Sequence, residues 1–326
     1  MPHSVPVRAH MAPITVGLMV VFVLASQSWP VLAQTTSPSN IRVLHLPTND
    51  LVADPASASG RLFVSIPSSA GSLGNSVTSI DPSTGTVASP VWVGSEPDRL
   101  AVSSNGQYLY AALDGASAVR RVDVASRTSG LQFTIGTPSI QEIPTAGDLA
   151  VIPGSPGSVV VSKSGEYGAN EGLSIWDDGV ERPGTTRGIF DGNSLAFTED
   201  PTKFYANDTS STTSGLYVNS ISAQGISVTS HVTDAILSLP IAYAGGRIYG
   251  AYGKVVDAST FATLGTFQVG GPTSSYVSLV PDMAAGRVYF LSVDKLPDYS
   301  HMTLQAFDVQ SFAQVWSMPV TGLSDR

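Results

Sequence analysis

Short apolar runs, each closed by a turn and followed by an aromatic or β-branched strand, return along most of this chain. The first three units read Leu51-Val-Ala-Asp-Pro with Arg61-Leu-Phe-Val, Leu100-Ala-Val-Ser-Ser-Asn-Gly with Tyr108-Leu-Tyr, and Leu149-Ala-Val-Ile-Pro-Gly with Val159-Val-Val. The next read Leu195-Ala-Phe-Thr-Glu-Asp-Pro with Phe204-Tyr-Ala-Asn, Pro240-Ile-Ala-Tyr-Ala-Gly-Gly with Arg247-Ile-Tyr, and Val277-Ser-Leu-Val-Pro-Asp with Arg287-Val-Tyr-Phe. A spacing of roughly 40 to 50 residues is the length of one four-stranded blade, and self-similarity at that period marks a repeat architecture.

A second register supports the first. Each unit continues into a third strand that ends at Asp81, Asp123, Asp177, Asp257 or Asp308, with Asn219 in the fourth unit. Asp and Asn at a strand end accept bonds from the backbone just downstream and so start turns, and Pro82-Ser-Thr-Gly85 after Asp81 is a turn by composition. These carboxylates are therefore read as structural punctuation. A fourth short strand closes most units, at Val91-Trp-Val, Leu131-Gln-Phe-Thr-Ile, Thr266-Phe-Gln-Val and Val315-Trp-Ser-Met. No window keeps a 3.6-residue apolar period over three turns, so almost no helix is expected. The predicted fold is all-β: a β-propeller of four-stranded antiparallel blades, six of them visible, at about 48–94, 95–138, 139–188, 189–233, 234–270 and 271–320.

The units resemble the bacterial YVTN-type propeller repeat, in which an apolar strand, an S-P-D-G turn, a Y-V-x-N strand and a V-x-V-I-D-x-x-T-G strand follow one another. The pieces that carry the resemblance are Phe204-Tyr-Ala-Asn207, Val280-Pro-Asp282, Ser104-Asn-Gly106 and Ser79-Ile-Asp-Pro-Ser-Thr-Gly85. The resemblance covers nearly all of residues 41–320, although the literal tetrapeptide is absent. It implies a scaffold and carries no activity with it.

The start of the chain follows a different pattern. Arg8 precedes an apolar run from Met11 to Ala25, and a polar stretch then leads to Val31-Leu-Ala33. About 15 apolar residues are short for a bilayer, and the small residues at the end suit a signal peptidase, so residues 1–33 are predicted to be a leader removed after Ala33. Residues 34–40 then form a linker and 41–326 the propeller, exported to the periplasm or beyond. No later run is apolar enough to span a membrane.

Ring closure raises a separate question. Residues 41–47, Ile-Arg-Val-Leu-His-Leu-Pro, read as a strand that completes the last blade, yet the sixth unit already has its own fourth strand at Val315. The closing Thr321-Gly-Leu-Ser-Asp-Arg326 is similar to Gly94-Ser-Glu-Pro-Asp-Arg99, which leads into a new blade. The expectation is a seven-bladed ring that is incomplete at the C-terminus, the alternative a six-bladed ring with a redundant first strand.

Composition narrows the chemistry. There is no cysteine, which removes disulfides, thiolate metal sites and a Cys nucleophile. Only 13% of residues are charged and the net charge is -9, with no basic cluster, so neither nucleic acid nor an anionic membrane is expected as a partner. His45, His231 and His301 stand in different units, so no zinc pair exists. No nucleophile elbow, P-loop, dinucleotide fingerprint or EF-hand loop is present. Asp177 and Asp178 are adjacent and point apart on a strand, which disfavours a shared acid–base role.

In a propeller, the loops joining the second to the third strand and the fourth to the next blade emerge on one face, around the mouth of the central channel. Here those loops carry Glu96, Asp98, Arg99, Asp114, Glu166, Tyr167, Glu171, Asp191, Asn193, Asp208, Asp298, Tyr299 and His301. They are the candidate ligand-binding residues. No catalytic set, metal site or cofactor is expected, and Ca²⁺ is the one cation their hard oxygen chemistry would suit. The favoured function is a monomeric, non-catalytic scaffold that binds protein, peptide or glycan on this face. The alternatives are a lactonase-like hydrolase with a divalent cation in the channel and a redox propeller resembling quinoprotein subunits.

Overall fold

The computed structural model describes residues 19–21, 42–136, 144–165, 170–186, 194–209, 214–270, 276–293 and 302–320. Two short strands come first, β1 (Met19–Val21) and β2 (Arg42–Leu44), paired antiparallel to each other. Blade one follows as β3 (Leu51–Ala53), β4 (Leu62–Ile66), β5 (Ser76–Asp81) and a split outer edge, β6 (Thr86–Val87) and β7 (Val91–Trp92). Blade two is β8 (Pro97–Val102), β9 (Tyr108–Leu113), β10 (Ala118–Asp123) and β11 (Thr128–Thr134). Blade three is β12 (Thr145–Val151), β13 (Ser158–Ser164), β14 (Asn170–Asp177) and β15 (Val180–Glu181).

Blade four is β16 (Ser194–Phe197), β17 (Lys203–Asp208), β18 (Gly215–Ser222) and β19 (Gly225–Thr233). Blade five is β20 (Ile241–Ala244), β21 (Arg247–Gly250), β22 (Lys254–Asp257) and β23 (Thr263–Thr266), and blade six is β24 (Tyr276–Asp282), β25 (Arg287–Val293), β26 (Met302–Asp308) and β27 (Gln314–Val320). In every blade the strands pair in chain order as an antiparallel meander, save that β7 returns to pair with β5, and the blades form a six-bladed β-propeller rather than the seven-bladed ring expected. Among the described residues the only helical turns are two 3₁₀ segments, Ser68–Leu73 and Asp114–Ala116.

The turn carboxylates act as expected. Asp81 accepts from Ser83, Asp123 from Ser126, Asp257 from Ser259 and Thr260, and Asp308 from Ser311. Side-chain or backbone donors of these turns hold all four carboxyls below the usual carboxylate range. Asp177 differs, because its carboxylate is forked by Arg182 (2.7 and 2.9 Å) and also accepts from Ser158. Its neighbour Asp178 turns away to pair with Arg121 of blade two.

Each blade is apolar on both faces and buries them against its neighbours. One apolar cluster joins blades one and two through Val52, Phe63, Val77, Leu100, Leu109 and Val122. Equivalent clusters join blades two and three, three and four, four and five, and five and six. The third residue of the second strand faces the next blade: Tyr110, Val160, Tyr205 and Tyr249 are all fully buried there. Tyr110 Oη donates to Pro156 O (2.8 Å) and Tyr205 Oη to Ala258 O (2.6 Å), each bond crossing a blade interface.

The inner strands carry a second set of crossings. Asp50, Asp148 and Ser194 stand one residue ahead of the apolar runs that begin at Leu51, Leu149 and Leu195. Asp50 Oδ2 accepts the Leu100 amide (2.8 Å), Asp148 Oδ2 the Leu195 amide (2.8 Å), and Ser194 Oγ the Ile241 amide (3.1 Å). The inner-strand N–H groups have no ladder partner on the channel side, so these buried acceptors satisfy donors that would otherwise be orphaned.

The junction of blades six and one is built differently. Residues 41–47 were expected to complete the last blade, but β2 is shorter and pairs with β1, while β27 supplies blade six with its own outer strand. Val43 packs on the blade-six face formed by Leu291, Val293, Met302, Leu304 and Val320. Leu44 and Leu46 pack on the opposing blade-one face with Val64, Ile66 and Ile80. The two clusters stay separate, so β2 is a wedge rather than a fourth strand.

The tyrosine positions make this difference testable. Tyr205→Phe should cost about 1 kcal/mol in denaturant unfolding, because the Ala258 carbonyl keeps its burial and loses its donor. Tyr289 occupies the same position in blade six, is only half-buried, and its hydroxyl meets no acceptor among the described residues. Tyr289→Phe should therefore stay within about 0.5 kcal/mol of the unsubstituted protein.

Candidate functional site on the blade-two loop face

Four of the thirteen sequence candidates come together in one place. The link from blade one to blade two, residues 94–99, lies under the 3₁₀ turn Asp114–Ala116 that follows β9. Gly94, at φ 131°, lets the link pass Leu113, whose Cδ1 would stand 2.7 Å from an added Cβ. Gly115 allows the same approach from above, where an added Cβ would meet Ser95 Oγ at 2.3 Å. Two glycines thus set the height at which turn and link meet.

Hydrogen bonds then fix the arrangement. Glu96 accepts with its carbonyl from the Asp114 amide (2.9 Å) and donates its own amide to Asn75 Oδ1 (2.9 Å), and its carboxylate accepts from Ser68. Asn49 donates to Pro97 O (2.9 Å). The pairing of β8 with β9 shifts register between Pro97 and Leu100, which makes a bulge out of Asp98 and Arg99. A bulge re-aims side chains that regular pleating would alternate. Arg99 Nε lies 3.5 Å from Asp98 Oδ2.

Asp98 pairs with Arg99, and the charges of Asp98, Arg99 and Glu96 act on the Asp114 carboxyl, a net negative group at the edge of the loop face. Burial is the main influence on Asp114, whose Oδ1 is shielded from solvent and accepts no hydrogen bond. The nearby Asp98 charge pushes the same way and Arg99 opposes it, so the Asp114 carboxyl is raised to about 7.

The other candidates fall elsewhere. Asp208 is fully buried at the end of β17, beside Asn207, whose Nδ2 donates to Ser238 O (2.9 Å) across the blade four–five interface. Glu171 lies within β14, and Glu166, Tyr167, Asp191, Asn193, Asp298, Tyr299 and His301 lie outside the described residues. Sequence reading missed Asn49, Ser68 and Asn75, which hold the link without any motif of their own. Among the described residues no group of three His, Asp or Glu side chains converges to hold a metal ion, and no helix is long and apolar enough to cross a membrane.

The central channel is apolar. It is lined by the inner strands of blades one to five, with Ala53, Ala101, Ala150, Ala196 and Ala242 among the lining residues, and its void holds about 70 Å³ of solvent-accessible space. At about 10 to 15 Å³ per water, that is room for a handful of molecules.

These features define a β-propeller with a carboxylate–arginine cluster at its loop face. No known family profile matches the chain, and no curated protein sequence matches it significantly. Many solved structures share its fold. Dihydro-heme d1 dehydrogenase NirN, solved in complex with DHE, aligns with a TM-score of 0.52 at 12% identity, over 86% of this chain and 71% of that one. Hydrazine synthase of Kuenenia stuttgartiensis aligns with a TM-score of 0.43 at 13% identity, over 90% of this chain and 70% of that one.

The raised carboxyl gives a pH signature. Folded Asp114 holds its proton up to about pH 7 and the unfolded residue only to about 4, so stability falls as pH rises through that window. Asp114→Asn should match the unsubstituted protein near pH 4 and exceed it at pH 8 by on the order of 2 to 4 kcal/mol. Chemical denaturation across that range checks it, and parallel curves for the two proteins would contradict it.

Proposed function

We propose that this propeller is an exported, non-catalytic binding scaffold, and that its ligand is a polypeptide presenting a cationic side chain to the Glu96, Asp98 and Asp114 cluster. The supporting observation is that the Asp114 carboxyl, shielded from water, feels two further carboxylates, Asp98 and Glu96, against one guanidinium, Arg99, which leaves an excess of negative charge. A Lys or Arg side chain placed there completes the charge balance and supplies donors to carboxylate oxygens. The net charge of -9 favours the approach of such a partner over distance. A neutral glycan can donate hydroxyls to these carboxylates but brings no charge to balance the excess.

Arrays of immobilised peptides and glycans, probed with the purified protein, test the reading. Lys- or Arg-bearing peptides should dominate the bound set, and their retention should weaken between 50 mM and 500 mM salt. The triple variant Glu96→Gln, Asp98→Asn, Asp114→Asn should bind at least tenfold more weakly to the same peptides. Unchanged binding by that variant, or a bound set made of glycans, would overturn the assignment.

A further inference from the structure

We infer that the seam between blades six and one is a strand-accepting site, open to an extended apolar segment of a partner polypeptide once the leader is removed. Five of the six blade junctions are single apolar clusters shared by both neighbours, whereas this one is two clusters held apart by β2. The two facing sheets are of the kind that elsewhere bury each other. On blade six, Tyr289 stands at the position where Tyr110, Tyr205 and Tyr249 are sealed by the next blade, and its ring lies 6.2 Å from that of Trp316, which is 36% exposed beside Val315 at 45%.

The seam also shows what it accepts. β2 is stapled to both walls by Val43 on one side and Leu44 on the other, and one of its edges carries β1 in the register Met19 to Leu44, Val20 to Val43 and Val21 to Arg42. An extended segment of apolar sequence, Met-Val-Val, is thus held along the edge of a strand that is itself wedged between two apolar faces. The one charged residue of β2, Arg42, lies over the blade-one turn, where Gly85 would place a Cβ 3.5 Å from its side chain. Strand addition takes its affinity from such main-chain bonds and its selectivity from the pockets beside them.

The inference rests on the expectation that residues 1–33 are cleaved, because β1 belongs to that segment. Removal leaves that edge of β2, a strand seated between two apolar faces, without its N–H and C=O partners, which is a template for another strand. Apolar, β-branched segments fit this slot, and charged ones leave a carboxylate or ammonium against hydrocarbon.

The exported protein tests this directly. Intact mass first establishes the N-terminus. The probe is a synthetic peptide carrying residues 17–23, Gly-Leu-Met-Val-Val-Phe-Val, flanked by lysines for solubility, with a second peptide in which Pro replaces the residue equivalent to Val20. Hydrogen exchange at the amides of Arg42–Leu44 should slow at least tenfold with the first peptide, and the proline peptide should bind at least tenfold more weakly. Exchange that ignores both peptides overturns the inference. Protection before any peptide is added, in protein that elutes at twice the monomer mass, assigns the seam to a second copy and overturns it as well. A mass that begins at Met1 removes the leader expectation and the inference with it, and leaves the loop-face reading untouched.

Discussion

Every blade of this protein is a sheet with two apolar faces, and a sheet of that kind is stable only between two neighbours. The constraint explains the packing of Tyr110, Tyr205 and Tyr249 better than any local preference does. Each is a large amphipathic side chain whose ring fills an inter-blade cluster while its hydroxyl reaches across the interface, to a backbone carbonyl for Tyr110 and Tyr205 and towards Met283 for Tyr249. With no cysteine available, this burial carries the stability of the ring. Fully burying one such apolar side chain contributes about 1.5 to 3 kcal/mol, and each interface buries several.

The same constraint makes the blade six–one seam informative. A face such as that of Leu291, Val293 and Leu304 cannot be left to water, and β2 covers it with the least chain that reaches both walls. A wedge of three residues supplies less apolar contact than a blade does, which is why Tyr289 and Trp316 keep part of their surface exposed there. β2 is thus a wedge between two blades and not a closing strand of blade six.

The repeat was legible because its signals are local. Asp81, Asp123, Asp257 and Asp308 start turns by bonding to residues two or three positions on, and nothing distant is needed to see that. The inner-strand runs and the second-strand aromatics follow the same logic. Asp50 and Asp148 were not legible, although they occupy the same place ahead of Leu51 and Leu149, because their partners at Leu100 and Leu195 lie about one blade away in sequence. For the candidate site, topology alone put Glu96, Asp98, Arg99 and Asp114 on loops of one face. Their convergence was not, since it depends on the bulge at Pro97–Leu100 and on the close approach allowed by Gly94 and Gly115. Asp208 shows the converse: a carboxylate at a loop position by sequence, yet fully buried, because β17 runs one residue further than its aromatic motif suggests.

On the inner strands, one oxygen each of Asp50 and Asp148 and the Ser194 hydroxyl take amides of the next blade. Asp114 combines a shielded acceptor oxygen with carboxylates close by, an arrangement that makes ionisation of the folded chain costly. An asparagine would fill the same turn without that cost. Carboxyls raised in this way by burial and like charge concentrate at functional sites. On the function proposed above, a cationic partner would restore the ionised form of Asp114, so the residue that weakens the isolated fold would be the one that gains most from binding.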